Sequence, residues 1–255
     1  MDRRAWVRDT LSPKDWLVTL PAEAVEELDA VVHRLRREPF PTLLLSPTQF
    51  ELSHCREVMA AVGRELRDGI GLAVVDRVPV ERYSADENQS LAWLLGSLLG
   101  RLVAQKWDGL MIYDVRDTGR ALSYGVRRSV TNLDLQFHTD APWLSAPPEL
   151  VGLLCVHPAM EGGMSRFVSL VTAHEELEDK PLDDVGHDAI RAMSAVLNAP
   201  RCWVEFTIEQ GQLQYLNNRL FAHSRTPFRD AEEPERRRHL IRLWNRDEGR
   251  QTFHA

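Results

Sequence analysis

Apolar positions recur at helical spacing through the first hundred residues and at strand spacing after that. Val25, Leu28, Val32 and Leu35 follow Pro21 on one face of a predicted helix that Pro39 closes. Leu52, Cys55, Met59, Val62 and Leu66 mark a second helical face ended by Gly69. Ser46, Pro47 and Gln49 supply a capping-box pattern ahead of it. Ser84 with Glu87 repeats that signal before a strongly apolar third helix over residues 86–105. Between the second and third helices, Ile70, Leu72 and Val74 alternate as in a strand.

From Gly109 the pattern shortens. Residues 110–115, 132–138, 151–156, 166–171, 203–209, 213–217 and 237–244 read as strands. The stretch 151–156 carries no polar position, which predicts burial on both faces. Gly162-Gly163 and Gln210-Gly211 mark turns, and one helix over 184–197 interrupts the series. Helices followed by many short strands predict a mainly β core, a sandwich or barrel, with flanking α-helices packed outside. With no repeat or linker, the expectation is one domain over 1–255, mostly helical cladding in 1–108 and β core in 109–255.

Composition narrows the function classes. A net charge of -7, with no basic block beyond Arg236-Arg237-Arg238, argues against a nucleic-acid partner. The 3 cysteines (Cys55, Cys155, Cys202) are widely spaced and lack a C-x-x-C pair. That suits a reducing, cytoplasmic setting better than a disulfide framework or a structural zinc site. The chain opens without an apolar leader, and its charge-free apolar stretch at 90–100 is too short to span a bilayer, so no membrane partner is expected. The sequence leaves the oligomeric state open, a homo-oligomer included.

The candidate chemistry sits in Phe137-His138-Thr139-Asp140. Residues two apart on a strand share a face, so His138 and Asp140 can reach one metal from a single element. A third ligand must come from far along the chain. Two histidines and a carboxylate leave open positions on the metal, the arrangement of non-haem Fe(II) oxygenases. H-x-D alone is weak, because an ordinary hydrogen-bonded histidine reads the same way. On the same alternation, Asn132, Asp134 and Gln136 share the inward face of His138.

Three blocks supply the missing specificity. SYGVRRSVTNLDLQFHTDAPW (123–143), PPELVGLLCVHPAMEGGMSRFVSLVTAHEEL (147–177) and YLNNRLFAHSRTPFRD with RRRHLIRLW (215–244) together resemble the taurine/2,4-dichlorophenoxyacetate dioxygenase (TauD/TfdA) family, in the family's order. The resemblance implies a double-stranded β-helix (jelly-roll) core and Fe(II) held by His138, Asp140 and His223. It implies 2-oxoglutarate as co-substrate, oxidised to succinate and CO2 while O2 oxidises an unactivated C–H bond of a small molecule, an amino acid or natural-product intermediate among the options. Hydroxylation is the default outcome. The retained Asp140 speaks against halogenation, in which relatives lose that carboxylate.

The resemblance also implies an anchor for the far carboxylate of 2-oxoglutarate. Arg238 matches the family's late-strand arginine and Ser165, after the Gly162-Gly163 turn, matches its hydroxyl position. A bidentate guanidinium suits that carboxylate. Alternation puts Arg238 and Arg242 on one face of the last strand, where Arg242 is either a partner for an anionic substrate group or a structural ion pair. Asp134 would complement it by taking a substrate ammonium, or else pairs with Arg127 or Arg128. Asn132 and Gln136 are further substrate candidates. His157 and His174 read as a strand-end and a surface residue. Two competing readings stay open: a jelly-roll metalloenzyme that does not use 2-oxoglutarate, and a non-catalytic metal- or ligand-binding protein on the same fold.

Overall fold

Strands that are apolar on both faces need cover on both sides, and the protein provides it with helices on one side and a second sheet on the other. The structure is a computed structural model that describes residues 3–173 and 186–254, with backbone alone over 186–190. The described strands are β1 (Leu17–Thr19), β2 (Leu72–Asp76), β3 (Tyr113–Val115), β4 (Leu135–His138), β5 (Leu150–His157), β6 (Glu161–Gly162), β7 (Ser165–Ser169), β8 (Trp203–Phe206), β9 (Leu213–Asn217), β10 (Phe221–Arg225), β11 (Phe228–Arg229) and β12 (His239–Asn245). The longer helices are α1 (Ala22–Arg37), α2 (Ser53–Asp68), α3 (Ala85–Ser97) and α4 (Gly186–Leu197).

A six-stranded sheet runs β1-β2-β9-β5-β12-β3, antiparallel except for the β1–β2 pair. A four-stranded sheet runs β4-β10-β7-β8, and β11 pairs with β6. Alternation divides the larger sheet's side chains. Ala73, Val75, Leu154, Tyr215, Ile241 and Leu243 pack with Leu28, Val32, Met59, Val62, Leu91 and Leu95 of the helices. The intervening Leu72, Val74, Val151, Leu216 and Trp244 meet Phe167, Val204 and Phe221 of the smaller sheet. The smaller sheet turns Val168 and Ala222 outward beneath Val196 of α4. Burial at roughly 25 cal/mol per Å2 of apolar surface drives this layering. The fold is mainly β with helices outside, and no helix among the described residues is long and apolar enough to cross a membrane.

Tertiary contacts moved several expected boundaries. The third helix ends at Ser97 rather than 105. Leu102 instead bridges Asn245, and the Val103 amide donates to the Trp244 carbonyl at 3.0 Å. The Ser46 box caps a short 3-10 turn (Pro47–Gln49), not α2. The start of α2 is capped from α1, where Glu27 accepts from the His54 and Cys55 amides, each at 2.9 Å. The Ser84–Glu87 box does cap α3. Four short strands, β1, β6, β10 and β11, had not been expected. Expected helix positions 184 and 185, and His174, lie outside the described residues.

Candidate metal centre

The three candidate ligands come from two neighbouring strands and the turn between β4 and β5. β10 pairs antiparallel with β4, and His223 faces His138 directly across the ladder. Their rings lie 4.3 Å apart between centroids. Asp140 follows β4 by two residues, and its backbone is fixed by Asn218. The Asp140 amide donates to Asn218 Oδ1 at 2.8 Å, and Asn218 Nδ2 donates back to the Asp140 carbonyl at 2.9 Å. Ala141 then adopts φ 49°, a left-handed conformation that a non-glycine residue takes only where surrounding contacts demand it.

This brings one donor atom from each of His138, Asp140 and His223 within 4.8 Å of the others. Asp140 Oδ1 lies 3.5 Å from His138 Nε2 and 3.9 Å from His223 Nε2. His138 Nδ1 lies 2.8 Å from the Gln136 carbonyl, which can accept only if Nδ1 carries the proton, leaving Nε2 as a lone-pair donor. Burial, reinforced by the neighbouring His138 and opposed by Asp140, pushes His223 down to about 3. Its contact with Asp140 is therefore between a neutral imidazole and a carboxylate, the protonation a metal ligand needs. Burial alone would raise the Asp140 carboxyl, but the charge of Arg242 and contact with both histidines hold it well below the usual carboxylate range. His223 Nδ1 is buried and unpartnered among the described residues. The donor set, protonation states and convergence fit a divalent metal of the iron type.

The far oxygen of Asp140 is engaged from behind. Oδ2 accepts from Trp244 Nε1 at 2.8 Å and from Arg242 Nη1 at 3.2 Å. Arg242 lies between Tyr113 and Trp244, 4.7 Å and 5.1 Å from their ring centroids. Arg242 forms an ion pair with Asp140. The guanidinium is engaged by Asp140 and by Gln105.

A cavity of about 50 Å3 between the two sheets opens beside the two histidines, and Ser165, Arg225 and Arg238 share its wall with His138, His223 and Arg242. Arg238 is 5% exposed and its Nη1 has no partner among the described residues. Burial, aided by the neighbouring Arg225, pushes its guanidinium down to about 10. Arg225 and Arg238 lie 4.8 Å and 5.1 Å from the ring centroid of Phe228. The Gly162-Gly163 turn allows the close approach behind them. Gly162 and Gly163 have φ 71° and 66°, and a Cβ on Gly162 would lie 2.2 Å from the Pro227 carbonyl oxygen.

The inward face expected for Asn132, Asp134 and Gln136 is not found. His223 pairs with His138 but Arg225 pairs with Leu135, so β4 carries one extra residue in a bulge. The bulge puts Leu135, not Gln136, on the cavity wall with His138. Asp134 and Gln136 instead line an adjoining groove of about 780 Å3, which shares Leu135, Ser224 and Arg225 with the cavity. Asp134 is exposed and pairs with Arg128 at 2.8 Å, and Asn132 is exposed at the surface. Sequence reasoning missed Arg225, Trp244, Gln105 and Asn218. Alternation from His223 to Arg225, and from Arg242 to Trp244, could have revealed two of them.

Comparison with known proteins bears on the family and the fold. The signature of the taurine catabolism dioxygenase TauD, TfdA family matches residues 38–185 and 180–244. FR-33289 synthase of Streptomyces rubellomurinus (strain ATCC 31215) is 22% identical over 98% of this chain and 90% of its own. Asparagine oxygenase, solved with Fe(II), 2S,3S-3-hydroxyasparagine and succinate, superimposes with a TM-score of 0.67 at 17% identity, covering 91% of this chain and 94% of the other. The non-haem iron oxygenase OrfP, solved with Fe and alpha-ketoglutaric acid, gives a TM-score of 0.66 at 15% identity over the same shares. With the signature running across most of its length, the chain belongs to the taurine catabolism dioxygenase TauD, TfdA family.

Proposed function

We propose that the protein is an Fe(II)- and 2-oxoglutarate-dependent oxygenase that hydroxylates an unactivated C–H bond of a small molecule of the amino-acid class. The observation that carries this reading is the convergence of three metal donors, two of them on the wall of a cavity shared with the buried guanidinium of Arg238, whose Nη1 has no partner among the described residues. That arginine is also what favours 2-oxoglutarate over a metalloenzyme without it, because a buried cation with no ion-pair partner among the described residues is costly unless a ligand supplies the counter-charge. The amino-acid class rests on the relatives. One is an asparagine oxygenase solved with a hydroxyasparagine, and OrfP was solved with (3S)-hydroxy-L-Arg and with L-homoarginine. The sheet order, with two sheets enclosing the site, is read as the family's double-stranded β-helix.

His138, Asp140 and His223 would hold the iron. When bound, iron with 2-oxoglutarate and dioxygen supplies the oxidising power, releasing succinate and CO2 as an oxygen atom enters the substrate. The chain's own residues position the reactants. The Gln136 carbonyl fixes the His138 tautomer. Asp140 offsets metal charge, while Trp244 and Arg242 hold its far oxygen. Arg238 and Ser165 take the far carboxylate of 2-oxoglutarate, where a charge-assisted bond gains strength from water exclusion. Residues 1–108 and 109–255 act as one unit, because Gln105 reaches across to Arg242.

The groups that hold substrate are a narrower matter. Arg242 lines the cavity but is engaged, and Asp134 would have to leave Arg128 to meet a substrate ammonium. The test is turnover. With Fe(II), 2-oxoglutarate and O2, a panel of free amino acids should include one that accelerates succinate release and gains an oxygen atom. Iron-replete protein that never converts 2-oxoglutarate under any condition would contradict the reading.

A further inference from the structure

Asp140 is the only one of the three candidate ligands with a second oxygen, and that oxygen has two donors of its own. We infer that Trp244 is a positioning residue for the metal centre: its indole N–H, together with Arg242, retains Oδ2 so that Asp140 presents Oδ1 alone to the metal. This deepens the metal-centre reading and rests on it.

The geometry separates the two oxygens. Oδ1 faces both imidazoles, 3.5 Å and 3.9 Å from their Nε2 atoms. Oδ2 faces the opposite way, toward Trp244 Nε1 at 2.8 Å and Arg242 Nη1 at 3.2 Å. A free carboxylate can swing and offer both oxygens to a cation. Here that swing would cost two hydrogen bonds in a place where neither donor has water to fall back on, since Trp244 is 3% and Arg242 9% exposed. An indole donates and never accepts, and it carries no charge. It therefore holds Oδ2 without adding a second positive charge beside the metal, which a second arginine would do. The consequence is a matter of coordination positions. A one-oxygen Asp140 leaves three positions open for a chelating keto acid and dioxygen, whereas a two-oxygen Asp140 leaves two.

Two features argue that the indole is placed rather than merely buried. Trp244 sits in β12 two residues after Arg242, so strand alternation delivers both donors to the same carboxylate. Its ring is also 5.1 Å from the Arg242 guanidinium, so each donor helps to fix the other.

The test uses cobalt(II), a spectroscopic stand-in for iron(II), titrated into metal-free full-length protein without oxygen. Three proteins are compared: native, Trp244→Phe and Trp93→Phe. Trp93 donates its indole N–H to the Leu45 carbonyl at 3.0 Å and is equally buried, so its loss measures the generic effect of deleting such a bond. Loss of an outer hydrogen bond to a metal ligand weakens metal binding about 10–100-fold. We expect Trp244→Phe to bind cobalt(II) at least tenfold more weakly and with an altered visible spectrum, and Trp93→Phe to match the native protein in both. Equal affinity and spectrum in native and Trp244→Phe would overturn the inference while leaving the metal centre standing. No cobalt(II) uptake by native protein would remove the metal centre and this inference together. Should Trp244→Phe fail to fold, native protein labelled with 15N at its indoles gives the answer. A solvent-protected indole N–H signal that moves on adding zinc(II) supports the inference, and no such movement overturns it.

Discussion

Gln105 Oε1 accepts from Arg242 Nε at 2.8 Å, and Gln105 Nε2 returns a bond to the Arg242 carbonyl at 2.7 Å. This fully buried amide comes from the stretch after α3, so the helical part of the chain takes part in fixing the Asp140 carboxylate through Arg242. The same Nε2 also donates to the Met111 carbonyl at 2.9 Å. Gln105→Ala should therefore leave one buried donor, one buried carbonyl and one part-buried carbonyl short of a partner. An unsatisfied buried polar group costs about 1–3 kcal/mol, so the variant should lose at least that much unfolding free energy in a urea titration. It should also bind metal more weakly, because Arg242 is freed to turn from Asp140.

Removing Arg238 should separate function from stability. The guanidinium is buried with no ion-pair partner among the described residues, and its burial pushes it down to about 10. Arg238→Met should leave the unliganded protein as stable as before or raise its melting temperature. The same change should weaken 2-oxoglutarate by about 100-fold, since truncating one partner of a buried charge pair costs about 2–5 kcal/mol. Differential scanning fluorimetry with and without 2-oxoglutarate reads both effects. A clear fall in the unliganded melting temperature would show that Arg238 is structural.

Glu27 gives a pH signature. Burial alone would raise it, but bonds from the Cys55 and His54 amides and from Ser53 and His54 side chains lower it to about 2. A carboxyl depressed on folding contributes stability that is full above its unfolded value, near 4.5, and is lost as pH falls toward the folded value. Glu27→Gln should cost about 1–2 kcal/mol at neutral pH, the worth of a good helix cap. The gap between native and variant should close as pH falls from about 4.5 toward 2. Thermal melts at a series of pH values check this, and a gap that persists at the acid end would contradict the assignment.

Asp134→Asn should change the KM of an amine-bearing substrate by less than about twofold. Its carboxylate is exposed and paired with Arg128, and an exposed pair of this kind is worth about 0–1 kcal/mol. Steady-state kinetics on the substrate found by screening decides it. A KM rise of tenfold or more with kcat unchanged would restore Asp134 as a substrate contact.

The sequence already carried the candidate ligand residues that the structure brings together, because H-x-D is local and His223 lies in a block with a strong family pattern. It also carried the helix faces of α1 and α2, where apolar spacing and tertiary burial agree. What escaped it depends on contacts between distant segments. The β4 bulge changes which residues face inward, and strict alternation has no term for an extra residue. β10 was missed because Phe221, His223 and Arg225 alternate with only two small residues between them, too short a run to stand out from a loop. The end of α3 and the cap of α2 were set by β12 and α1, not by their own residues. Trp244 had no reading beyond its place in the last strand, and its indole N–H acquires a purpose only when Asp140 is brought beside it.

The most direct test of the central claim is the visible spectrum of metal-free protein given Fe(II) and then 2-oxoglutarate without oxygen. The account predicts a weak charge-transfer band in native protein. That band should be absent in His223→Ala and should need far more 2-oxoglutarate in Arg238→Ala. Native protein that binds iron but shows no band, even at saturating 2-oxoglutarate, would contradict it.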